Sequence, residues 1–108
     1  MKTKPIRIIE RQIYKWPKVR RQVDGDRTSY YAGPRQFAFI EKDLLVLIRT
    51  TPDERKALSA EWGAGPYESA YGKTIGFYLQ VPLDETNAEQ LLPYIRNSYQ
   101  HALTWKGV

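Results

Sequence analysis

The stretch "QFAFIEKDLLVLIRTTPDERKAL", Gln36 to Leu58, holds two β-rich runs, a turn between them and the start of a helix. "QFAFI" and "LLVLIRT" are rich in aromatic and branched residues, and "EKD" joins them as a hairpin. Leu44 to Ile48 is apolar without alternation, which predicts a central strand buried on both faces. Thr51 then stands where an N-cap is wanted and Pro52 takes the first helical position. Asp53 and Glu54 suit the positive end of the helix dipole, and Thr51 to Glu54 has capping-box spacing. Gly63 and Gly65 end that helix.

Upstream, Ile6, Ile9, Ile13 and Trp16 recur at steps of three and four, the mark of one helix face. Pro5 suits a first turn, and Pro17 disfavours helical geometry in the residue before it. The spacing therefore predicts a helix over Pro5 to Trp16, with Trp16 in the core. In "VDGDR" the Asp-Gly pair suits the positive-φ positions of a hairpin. Strands are expected near Val19 to Val23 and near Arg27 to Ala32.

Downstream, "GAGPYESAYG" carries too much Gly and Pro for a regular element. "KTIGFYLQV" reads as a strand, with Gly76 marking a bulge or a close backbone approach. Ala88, Leu91, Leu92, Ile95, Tyr99, Ala102 and Leu103 form a last helical stripe, interrupted by Pro93, which should kink or break it near Glu89 to Leu92. The order is α-β-β-β-β-α-β-α. Short links between consecutive strands imply an α+β fold, an antiparallel sheet of four or five strands with helices on one face.

At 108 residues the chain is the size of one domain, and nothing in it reads as a linker. No apolar run approaches the roughly 20 residues that span a bilayer, and the charged N-terminus is unlike a signal peptide, so no membrane partner is expected. The absence of cysteine removes disulfides and thiol chemistry, and a cytoplasmic location is the default.

His101 is the single histidine, which excludes a serine triad and a two-histidine metal site. Asp53-Glu54 and Asp84-Glu85 stand at helix starts, and Asp24 and Asp26 in a turn, where capping and turn geometry account for them. "GAGPYESAYGK" lacks phosphate-loop spacing. No catalytic residue, metal or cofactor is expected.

Charge is the informative feature. Residues 1 to 36 hold ten Lys/Arg against three Asp/Glu, while the remainder is slightly acidic. Arg7, Arg11 and Lys15 are spaced as one helical stripe, and Lys18, Arg20 and Arg21 continue the charge past Pro17. These six are the expected nucleic-acid contacts, for DNA or RNA, dominated by phosphates. The alternative is a small-ligand or protein-interaction module built on loop 63–73, with Tyr67 and Tyr71 lining a groove and Lys73 at its mouth.

Gln36 to Leu58, "PYESAYGKTIGFYLQV" and "LLPYIRNSYQHAL" together resemble the MmcQ/YjbR-like family of small bacterial α+β proteins, over roughly Gln36 to Leu103. "IYKWPKV" is similar to the start of the small luciferase-like domain family. The first resemblance implies a double-wing arrangement proposed to bind DNA. Wings at "IEKDL" and "VDGDR" would depart from it, because Glu41, Asp43, Asp24 and Asp26 put negative charge at the tips.

Overall fold

The computed structural model describes residues 4–68 and 74–104. It is α+β, as expected. Helix α1 (Pro5–Ile13) leads into strands β1 (Val19–Asp24), β2 (Arg27–Ala32), β3 (Arg35–Glu41) and β4 (Leu44–Leu47). Then come α2 (Pro52–Trp62), β5 (Gly65–Glu68), β6 (Thr74–Pro82) and α3 (Ala88–Thr104). The strands form one antiparallel sheet of six in the order β1-β2-β3-β4-β6-β5.

β4 lies between β3 and β6, and Leu45, Val46, Leu47 and Ile48 are buried. A fully apolar strand belongs where both faces are covered. On one face Leu45 and Leu47 join the main core with Ile9 and Ile13 of α1 and Leu91, Ile95 and Tyr99 of α3. On the other, Val46 and Ile48 join Phe39 and Tyr67 in a second cluster.

β3 carries an irregularity that feeds the main core. Tyr30 pairs with Ala38, but Tyr31 pairs with Gln36, so Phe37 is an extra residue on β3. Such a bulge breaks the alternation of sides. Phe37 and Ala38 both enter the main core, whereas Phe39 enters the second cluster. Phe37 then packs edge-on to Tyr99 at 5.4 Å and lies 6.5 Å from Trp16. Its carbonyl accepts from the Ser98 hydroxyl of α3 at 2.6 Å, and Ser98 Oγ accepts the Arg49 N–H at 3.0 Å.

Three expectations change. The sheet has six strands, because "GAGPYESAYG" contains β5. β5 is an edge strand, the place in a sheet where proline and glycine are tolerated. α1 ends at Ile13, one turn short of Trp16. There the amides of Lys15 and Trp16 donate to carbonyls three residues back, Gln12 and Ile13, a tighter winding that ends the helix ahead of Pro17. α3 is continuous through Pro93. Pro93 is exposed and in the second turn, so the one missing N–H leaves the Glu89 carbonyl open to water. The irregularity expected at Gly76 is present: the register slips between Pro66 and Tyr67 of β5, skipping the β6 segment that contains Gly76.

α2 begins as its sequence requires. Thr51 Oγ1 accepts the Glu54 N–H at 3.2 Å, and Glu54 Oε1 accepts the Thr51 N–H at 2.9 Å. Gly63 closes the other end at φ 69°, a left-handed conformation that glycine adopts without penalty.

Candidate nucleic-acid interface

The inner side of α1 is apolar, with Ile9 and Ile13 buried. The opposite side holds Lys4, Arg7 and Arg11, at steps of three and four and all exposed. None of the three has a carboxylate partner among the described residues. Tyr14, three residues past Arg11, is 55% exposed and extends the same side. Burial and the charge of Glu10 raise its pKa, so the phenol stays neutral at ordinary pH.

Glu10 is the single carboxylate in α1, and it points to the sheet. Its Oε2 accepts the Tyr30 hydroxyl at 2.8 Å and lies 2.8 Å from Arg21 Nε. The attraction of Glu10 raises the pKa of Arg21. Burial raises that of Tyr30 further, with Glu10 adding to it. The cluster fastens α1 to β1 and β2 and consumes one of the expected contact residues.

Lys15 and Lys18 are exposed in the turn from α1 to β1. Lys18 sits at φ 66°, unusual for a residue with a side chain. Its carbonyl accepts the Gly33 N–H at 2.9 Å, which ties the start of β1 to the β2–β3 turn. The turn is also held from α3. Trp16 lies 5.0 Å from Tyr99, Arg96 lies 5.4 Å over Trp16, and the Tyr99 hydroxyl donates to the Pro17 carbonyl at 2.6 Å. Trp16 and Pro17 therefore fix where Lys15 and Lys18 stand.

Arg20 and Arg21 are neighbours on an extended strand and face opposite sides of the sheet. Arg21 turns to the helix side and Glu10. Arg20 is paired in register with Tyr31, and its guanidinium lies 4.7 Å over that ring. Tyr30 is buried on the helix side, so Tyr31 is the tyrosine left half-exposed on the other.

The six expected contacts thus divide. Arg7 and Arg11 share a stripe, Lys15 and Lys18 follow it in the turn, Arg20 is across the sheet and Arg21 is paired. Lys4 is the residue that sequence reasoning missed, although its spacing to Arg7 and Arg11 was available. Alternation along β1 likewise separates Arg20 from Arg21.

Of the alternative site, Tyr71 and Lys73 lie outside the described residues. Tyr67 is 6% exposed and packs edge-on against Phe39 at 5.3 Å. Its hydroxyl accepts from Arg27 Nη2 at 3.0 Å. Arg27 also pairs with Glu41 at 2.8 Å and lies 4.2 Å over Phe39. These contacts give Tyr67 and Arg27 structural work on the second cluster.

No group of three or more His, Asp or Glu side chains among the described residues could hold a metal ion. Among them no helix is long and apolar enough to cross a membrane. No family model, curated protein or solved structure matches the chain.

Proposed function

We propose that the chain is a non-catalytic binding protein that takes a nucleic acid along the outer side of α1 and the turn after it. The observation that carries this is the exposed row of Lys4, Arg7 and Arg11, without carboxylate partners among the described residues, continued by Lys15 and Lys18. The three helical cations span about 10 Å of helix axis, a length over which duplex DNA presents several phosphates. Binding by such a row reads charge and little sequence. Tyr14 beside it offers a ring on which an unpaired base can stack.

The test is fluorescence anisotropy with labelled single-stranded and duplex oligonucleotides in low salt. Saturable binding that weakens in the Arg7→Gln/Arg11→Gln double variant is expected. No binding by the parent chain, or equal binding by the double variant, overturns the proposal.

A further inference from the structure

At the sheet edge away from α1, between α2 and the β5–β6 pair, an open groove of about 520 Å³ is left. Its origin is compositional. The residues that α2 and the start of β5 turn toward each other are small or unbranched, among them Ala60, Ala64 and Pro66, and cannot fill the space. The buried side chain of Leu79 forms an apolar floor. Arg55 and Lys56 stand on the rim, and no carboxylate lines the groove among the described residues. Arg55 is held there, because its Nη1 donates to the Thr50 carbonyl at 2.9 Å and the Thr50 hydroxyl at 3.1 Å.

We infer that this groove binds a small anionic amphiphile, a single medium-chain carboxylate with its tail over Leu79, Ala60 and Pro66 and its head at Arg55 and Lys56. Two observations select this class. The volume falls in the range that holds small ligands. The charge on the rim is of one sign, so an apolar molecule without an anionic head would leave that rim unused, and a cationic one would be repelled. The site shares no residue with the row on α1, so its fate in experiment is independent of nucleic-acid binding.

The experiment is a two-dimensional NMR titration of the full chain with decanoate, with decanol and phosphatidylglycerol vesicles as separate arms. Decanoate is expected to produce saturable one-site shifts around Ala60, Ala64 and Leu79, and decanol to bind several-fold more weakly. Ala60→Phe, a change at an exposed helix position, fills the groove and should weaken binding about tenfold or more. Lys56→Glu should weaken it about fivefold. Unchanged spectral dispersion in both variants shows that they fold. The inference is overturned if decanoate gives no saturable shifts, if folded Ala60→Phe binds as the parent does, if decanol binds as well as decanoate, or if only the vesicles bind.

Discussion

Replacing Tyr99 by phenylalanine isolates the bond that holds the α1–β1 turn. The ring contacts to Trp16 at 5.0 Å and Phe37 at 5.4 Å survive, and only the hydroxyl on the Pro17 carbonyl, 2.6 Å away, is lost. Pro17 is exposed, so water can take the hydroxyl's place at the carbonyl. The loss should therefore match an ordinary net hydrogen bond, about 1 kcal/mol, and fall short of the larger penalty for a buried unmet acceptor. For 108 residues the entropy of unfolding is about 0.23 kcal/mol per kelvin, so Tm should fall by about 4 °C. Tyr99→Ala removes the ring as well and should cost about 3–5 kcal/mol. Scanning calorimetry measures both. Amide exchange supplies the local readout. The Gly33 N–H, bonded to the Lys18 carbonyl at 2.9 Å, should exchange faster in Tyr99→Phe, beyond what the global loss explains. An unchanged Tm together with unchanged Gly33 exchange would refute the role given to this bond. A fall of more than about 10 °C would show that the hydroxyl supports far more than the turn.

Three further outcomes are expected. If the five cations Lys4, Arg7, Arg11, Lys15 and Lys18 all meet phosphates, log K against log salt for duplex DNA should slope at about −4.5, and at about −2.7 in Arg7→Gln/Arg11→Gln; anisotropy titrations over a salt series measure both, and Arg21→Gln should leave the slope alone. Thr51→Ala removes one half of the α2 capping box and should cost about 1 kcal/mol by urea denaturation. Asp84 accepts the Thr86 hydroxyl at 2.6 Å and the Asn87 N–H at 3.0 Å, bonds that hold its pKa below the usual carboxylate value. The folded form therefore favours ionised Asp84, and its contribution is present above the unfolded pKa of about 3.9 and is lost as pH falls below it. The Tm gap between the parent chain and Asp84→Ala should accordingly narrow between pH 5 and pH 2 in thermal melts, and a gap that is constant with pH would contradict the assignment.

Where a local rule and the fold agree, the sequence was enough. The hairpin of β1 and β2, the apolar β4 and the capping box at Thr51 follow from pattern, because neighbouring residues decide them. β5 was illegible, since Gly65 and Pro66 argue against a strand until its place at the sheet edge is known. Pro93 misled for a similar reason: whether a proline breaks a helix depends on where its freed carbonyl faces. The candidate interface was half legible. Helical spacing found Arg7 and Arg11, while the division of Arg20 from Arg21 needed only the strand's alternation. The capture of Arg21 by Glu10 needed the packing of α1 on β1, which no local pattern records.

The extra residue in β3 has a consequence for comparing this chain with others. Side chains before and after Phe37 are out of phase by one position, so losing that one residue would restore plain alternation and leave Gln36, Ala38 and Phe39 on the layers they now occupy. A chain that shares this core but is aligned with a gap opposite Phe37 would keep its layers and lack only that ring and the carbonyl that accepts the Ser98 hydroxyl. Kinship across great distance is therefore better judged by which side chains share a layer than by whether two strands are equal in length.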